Sequence, residues 1–321
     1  MKKIRPCFLI VAALQFLLVA CKADMPEAKL TVTVNDSSGK PLVDAVAGAF
    51  FPHIYGAGAS VKGDNVRVKT DQNGVAVLQG RFAGTVGGGV ELSGYYRTQF
   101  KEIDFPSMLN RGEDLNAERT LILKKINNPI PLFARQFRNL KIPSLNEPFG
   151  YDVEIGDWIP PHGNGKTTDI IFQIKGKLVN YKDHDLTLEI SFPNKGDGLM
   201  EFEGVREFGS VLRSDHQAPE SGYNATLTLR RKALNGQAAS QWINESKPGS
   251  NYYMRLRTKL DRKGNVLEAN YGKIYGNIEF LDFIKAEAYY FNPTVNDRNI
   301  EFDTKRNLAT PMKAIEKVSM P

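Results

Sequence analysis

Leu186-Thr-Leu-Glu-Ile-Ser-Phe192 alternates apolar and polar residues without a fault. Successive side chains of a strand point to opposite faces, so this spelling buries one face and wets the other; on a helix it would scatter apolar groups around the axis. Short runs with the same bias recur at Leu30-Thr-Val-Thr-Val34, Val66-Arg-Val68, Val75-Ala-Val77, Asp169–Ile174 and Ala225-Thr-Leu227-Thr-Leu229. Turn formers separate them, among them Asn35-Asp-Ser-Ser-Gly39-Lys-Pro41, Asp71-Gln-Asn-Gly74 and Asp261-Arg-Lys-Gly264. Helical periodicity is scarce, and residues 240–244 spell at most a single turn. The pattern predicts an all-β chain.

At 321 residues the chain is long enough for two domains of roughly 150 residues each. A first β-sandwich is expected at 29–124 and a linker at 125–150, marked by Asn127-Asn-Pro-Ile-Pro131. A larger antiparallel sandwich-like domain is expected at 151–321. In it, Tyr252–Leu260 and Tyr271–Phe280 form a hairpin about Asp261–Gly264. Tyr252, Met254, Leu256, Leu260, Ile274, Ile278 and Phe280 then face the core. The opposite face carries Tyr253, Arg255 and Arg257 beside Tyr271, Lys273 and Tyr275. An exposed stripe of aromatic and basic side chains can stack on sugar rings or anchor a protein, so these six are candidate ligand-binding residues.

The amino end reads differently. Met1-Lys-Lys-Ile-Arg-Pro6 is basic, and residues 7–20 are apolar except for Gln15. That run is shorter than the roughly 20 residues of a spanning helix. A basic start, a short apolar core and small residues at its end describe a secretory signal segment, residues 1–20. Leu18-Val19-Ala20-Cys21 resembles the lipobox of bacterial lipoproteins. The resemblance implies a diacylglycerol thioether on Cys21, cleavage before it, an acylated new amino terminus and a tether at 21–28. Several acyl chains hold a bilayer durably where one does so marginally. Lys22, where an aspartate would favour inner-membrane retention, points to the outer membrane. Cys7 and Cys21 are the chain's two cysteines, so the expected globular part has no disulfide and no cysteine-bound zinc.

Asp36, Gly39, Pro41 and Leu42, then Thr70, Asp71 and Gly74, then Gly94-Tyr95 follow one another in an order that resembles the carboxypeptidase regulatory-like domain. That family is a transthyretin-like β-sandwich without catalytic function. The insertion at 51–60 and the loose Gly87-Gly-Gly89 depart from its pattern. Further on, Gly150–Trp158, Phe192–Gly198 and Tyr290–Asp303 are similar to the carboxy-terminal region of uncharacterised lipoproteins that carry such a domain.

Catalytic and metal motifs find little footing. His162-Gly-Asn-Gly-Lys-Thr167 suggests a phosphate loop, but Pro160 stands where the first glycine belongs. No G-x-S-x-G elbow or H-E-x-x-H occurs. Asn296, Asp297, Asn299, Glu301 and Asp303 could ligate calcium, though an Asx-rich turn explains them better. The formal charge is +6, of which Lys2, Lys3 and Arg5 supply half, too little to argue for nucleic acid. No cofactor, metal or enzymatic activity is expected. The expectation is an envelope lipoprotein with a binding or scaffolding role, its partners the bilayer at Cys21 and a glycan or envelope protein. A carbohydrate- or peptidoglycan-binding module is the first alternative. A glycan hydrolase using Asp152, Glu154 and Asp157 is the second.

Overall fold

The computed structural model describes residues 25–54, 62–138, 140–204 and 207–321. The signal segment, Cys21 and tether residues 21–24 lie outside the described residues. The chain is all-β: among the described residues there are one α-helix and two 3₁₀ turns against twenty-two strands. The described residues divide into two compact units, those up to Lys125 together with 207–210, and those from Ile126 to Gly204 together with 211–321.

The first unit holds β1 (Glu27–Asp36), β2 (Val46–Ile54), β3 (Lys62–Lys69), β4 (Val75–Arg81), β5 (Val86–Glu91), β6 (Thr98–Ile103), α1 (Phe105–Asn110) and β7 (Asn116–Leu123), and takes in β15 (Gly209–Ser210) from a later stretch. One sheet runs β4-β1-β7, with β1 antiparallel to β4 and parallel to β7. The other runs β15-β6-β5-β2-β3, antiparallel throughout. Leu30, Val32 and Val34 of β1 meet Ala47, Ala49 and Phe51 of β2, with Leu78, Val86, Val90 and Phe100, in one buried cluster. This is a sandwich, as the alternation predicts.

Two local expectations change. The Asp71–Gly74 turn closes like a hairpin, with the Asp71 amide donating to the Val75 carbonyl and the Asp71 carboxylate accepting from the Val75 amide. Its flanking strands nevertheless part, β3 pairing with β2 and β4 with β1. Helix α1 was not expected. Its signal is Asp104, whose carboxylate accepts from the Ser107 amide, followed by Pro106 in the first turn.

The second unit comprises β8 (Phe133–Arg135), β9 (Leu140–Lys141), β10 (Pro148–Asp152), β11 (Asp157–Trp158), β12 (Ile170–Asn180), β13 (Asp183–Ser191), β14 (Gly198–Glu203), β16 (Thr226–Ala233), β17 (Ile243–Asn244), β18 (Ser250–Leu260), β19 (Val266–Tyr275), β20 (Glu279–Phe280), β21 (Phe283–Lys285) and β22 (Ala288–Asn292). The stretch 125–150 is expected from the sequence to be a linker, but from Ile126 onward it belongs to this unit and contributes β8, β9 and the start of β10. A six-stranded sheet, β11-β10-β12-β13-β16-β17, and a five-stranded sheet, β14-β18-β19-β22-β8, share one large core. Phe149, Tyr151, Phe172 and Leu188 enter it from the first, and Tyr252, Met254, Leu256, Tyr289 and Phe291 from the second.

The five-stranded sheet is buried on its other face too. There Leu132, Ala218, Ile300 and Phe302, most of them from segments without strand structure, cover Tyr253, Tyr271, Tyr275 and Tyr290. All five residues of β22 are accordingly buried, with no alternation. A strand covered on both sides loses its period-two signature.

Candidate functional site

The six residues expected to form an exposed stripe do not face solvent. Tyr253 is 5%, Tyr271 6%, and Lys273 and Tyr275 0% exposed, while Arg255 and Arg257 are half-buried. The physical reason is the cover of loops just described, which no strand pattern announces. Lys273 Nζ donates to Tyr275 Oη at 2.9 Å and to Ser214 Oγ at 3.2 Å, and lies over the rings of Tyr275 and Tyr290. Arg213 stacks on the Tyr275 ring at 4.6 Å and reaches both oxygens of Glu287 at 2.6 Å. Burial pushes the Tyr275 phenol up to about 12, against the pull of its Ser214 hydrogen bonds, so it stays a neutral hydroxyl. Tyr253 Oη takes the Asp215 amide and donates to the Asp215 carboxylate. Arg255 donates to the carbonyls of Gly196 and Glu220 and covers Tyr223.

Arg257 is not on that face at all. A register shift lies between Leu256 and Lys259, and Arg257 takes φ +55°. Its guanidinium turns over Phe291 in the main core and holds Asp169 and Glu154. A bulge re-aims a side chain in this way, and period-two counting passes straight through it.

Ser214, Lys273 and Tyr275 together have the residue types of an acyl-transfer centre, a hydroxyl beside an amine and a phenol. All three are fully buried, so a substrate carbonyl has no approach to Ser214 in this conformation. The cluster stitches the 211–218 segment onto the sheet.

The carboxylates considered for hydrolysis are also engaged by the scaffold. Asp152 is 2% exposed. Its Oδ1 accepts from the amides of Glu154 and Ile155 and its Oδ2 from those of Lys166 and Thr167, at 2.8–3.0 Å. Burial disfavours its charge, but these N–H groups outweigh burial and hold the carboxyl below its ordinary value. Asp157 accepts from the Trp158 and Asn164 amides. The glycine-rich loop that resembles a phosphate cradle thus wraps the protein's own carboxylates. The candidate calcium residues behave likewise: Asp297 accepts from the Asn299 amide, Asn299 from the Glu301 amide, and Glu301 from the amides of Asn127 and Asn128.

A different arrangement occupies the outer face of the five-stranded sheet in the first unit. Antiparallel register sets three rows across β3, β2, β5 and β6. The middle row is Arg67–Gly48–Gly89–Gln99. One flanking row sets Asn65, Phe50 and Gly87 side by side, with Glu102 beyond; the other sets Lys69, Val46 and Glu91, with Arg97 beyond. Glycines on the two central strands remove side chains from the middle of the sheet. What remains is a groove of about 540 Å³, within the usual range of ligand pockets. Its floor is glycine backbone, Val46 and Phe50; its walls are Arg67 and Asn65 on one side and Gln99 and Glu102 on the other.

The glycines here are of two kinds. A β-carbon on Gly88 would lie 2.1 Å from the Gly48 carbonyl oxygen, and one on Gly89 2.5 Å from that of Thr98. Those two are required by the sheet itself. A β-carbon on Gly48 would meet nothing closer than Arg67 Cγ at 3.7 Å, and one on Gly87 only Glu102 Cγ at 3.4 Å. Neither has positive φ. Glycine in a strand costs about 0.5–1 kcal/mol relative to alanine, so these two carry a cost that backbone geometry does not demand. What they provide is open space. Within the groove Glu91 pairs with Arg97, and Glu102 accepts weakly from Thr85. Among the described residues Arg67, Asn65 and Gln99 have no side-chain partner, unlike Asp152, Lys273 and Arg213 of the second unit.

Sequence reading did not find this groove. Gly87-Gly-Gly89 and Gly48 were visible, but only the pairing register brings them together.

With fold and groove in hand, the class of protein is a two-unit, all-β chain with one glycine-floored polar groove described on its first unit. Neither a protein-family model nor a curated protein matches the chain. Among solved structures it is similar to a streptococcal ancillary pilin, at 11% identity and TM-score 0.22 over 90% of this chain and 64% of the pilin chain. It is also similar to a candidate carbohydrate-binding protein from Bacteroides uniformis, at 12% identity and TM-score 0.20 over 85% of this chain and 99% of the other. The match therefore spans less than two thirds of the pilin, and TM-scores this low assign neither fold nor function.

Proposed function

We propose that the chain is a non-catalytic binding lipoprotein of a bacterial envelope, tethered through acylated Cys21 and working through the groove of its first unit. The observation that carries the binding role is the groove itself, kept open by Gly48 and Gly87, glycines that the sheet's geometry does not require. Arg67, Asn65 and Gln99 line open space with no partner among the described residues, while Asp152, Lys273 and Arg213 are buried and engaged by the protein itself. The anchor rests on Leu18-Val19-Ala20-Cys21 behind a basic, apolar leader.

The carboxypeptidase regulatory-like reading of the first unit is supported by how its motif residues meet. Asp36 closes its turn by accepting from the amides of Ser38 and Lys40. Thr70 Oγ1 donates to the Leu42 carbonyl at 2.6 Å and accepts from the Ala45 amide at 2.9 Å, docking the second motif on the first. Gly74 sits against the Val34 carbonyl, where a β-carbon would lie at 2.6 Å.

Fractionation tests the anchor. The wild-type chain is expected in the membrane pellet with incorporated radiolabelled palmitate. Cys21→Ser should release it and abolish the label. Undiminished membrane retention of the serine variant would overturn the anchor.

A further inference from the structure

We propose that this groove takes an internal stretch of a neutral glycan chain. The inference rests on the reading of the groove as the binding surface and adds the ligand's chemistry.

Charge balance selects a neutral ligand. Arg67 contributes one positive charge and Glu102 one negative, and Arg97 and Glu91 neutralise each other at 3.4 Å. A phosphate or a polyanion would meet Glu91 and Glu102; a polycation would meet Arg67 and Arg97. Asn65 and Gln99 each offer donor and acceptor atoms in one plane, and a sugar's vicinal hydroxyls ask for both. Phe50 on the floor supplies an apolar face for the C–H side of a ring.

Shape selects a chain over a single ring. The floor follows β5 from Gly87 to Glu91, about 13 Å at the rise of an antiparallel strand. The trough lies on the outer face of the sheet, open along its length to solvent, which suits the side of a polymer more than a single enclosed ring. A peptide strand has no ladder to join there, because β2 and β5 are each paired on both sides. Gly48 and Gly87 keep the trough clear, as their β-carbons would fit the sheet but stand in the path of the ligand.

The test uses the full chain in detergent on an array of neutral oligosaccharides, uronic and sulfated glycans, and peptidoglycan stem peptides. Titration calorimetry with the best-retained neutral oligosaccharide follows. Retention of neutral glycans is expected, little changed by added salt. Gly48→Val should weaken it by about tenfold or more, at unchanged melting temperature. Arg67→Ala and Gln99→Ala, both on the surface, should weaken it as well and carry the test if the valine disturbs folding. Retention of neutral glycans that none of the three variants alters would overturn the site. Groove-dependent retention of anionic glycans or stem peptides alone would overturn the ligand class and leave the groove as the binding surface. A blank array would overturn the glycan assignment, and protection of a groove thiol on isolated envelopes would then still distinguish an occupied groove from an idle one.

Discussion

Asp152→Asn probes the loop that most resembles a catalytic motif. The carboxylate gathers four backbone amides, two on each oxygen, and is almost wholly buried. Asparagine keeps the shape but exchanges one acceptor oxygen for a donor. Whichever way the amide turns, two N–H groups face an NH₂ group. A hydrogen bond to a charged acceptor contributes about 1.5–3 kcal/mol net, and an abandoned donor costs more where water cannot reach it. Lys166 and Thr167 are exposed, so water replaces part of what they lose. The expected loss is about 2–4 kcal/mol. Guanidinium unfolding of the second unit, followed by Trp158 fluorescence in a Trp242→Phe background, measures it, since Trp158 is buried beside the loop. A loss below about 0.5 kcal/mol would refute the view that Asp152 holds the loop together.

The remaining predictions concern pH, glycines and one buried ion pair. Asp152 titrates below its ordinary value in the folded chain, so between the folded and unfolded pKa values the unfolded chain binds the proton more readily. Its contribution is complete above about pH 5 and is lost as pH falls through the unfolded and then the folded value, so Asp152→Asn should lose less stability than wild type as pH falls below about 5. Gly48→Ala should leave the melting temperature of the first unit unchanged or slightly raised, whereas Gly88→Ala, whose β-carbon would lie 2.1 Å from a carbonyl oxygen, should lower it sharply. Differential scanning calorimetry separates the two, and equal melting temperatures would refute the distinction. Arg213→Met removes the guanidinium nitrogen that donates to both Glu287 oxygens and should cost about 2–4 kcal/mol. Arg213→Met combined with Glu287→Gln should recover part of that loss in denaturant titrations.

Alternation announced β1, β12, β13 and β16, because each of these has one face on a core and one face less buried, and it announced β18 although Ser250–Met254 are buried on both faces. It failed where burial or geometry departs from that plan. β22 is covered on both sides and reads as Ala288-Tyr-Tyr-Phe-Asn292, with no period. The return strand of the hairpin was expected at Tyr271–Phe280 but runs Val266–Tyr275, since Gly276 at φ +85° ends it and Glu279–Phe280 join another sheet. Tyr271, Lys273 and Tyr275 were placed on the correct face of β19, but that face lies under residues from 211–218 and 300–302. Arg257 was placed on the wrong face by a bulge. The groove escaped notice because its defining feature is the absence of side chains on two strands, which becomes a shape only once Gly48 is set beside Gly89.

Occupancy of the groove at the envelope is the most direct measure of the proposed role. Gln99→Cys places a thiol on the groove wall, and Val77→Cys places one on an exposed site, 40% accessible, on the other sheet of the same unit. Under the proposed anchor, in which Cys21 is acylated and Cys7 leaves with the leader, each would be the one free thiol of its mature chain. Both should react with maleimide at similar rates in the purified protein. On isolated envelopes Gln99→Cys should react about tenfold more slowly while Val77→Cys keeps its rate. Equal rates at the two sites on envelopes would contradict the assignment of the groove as the binding surface.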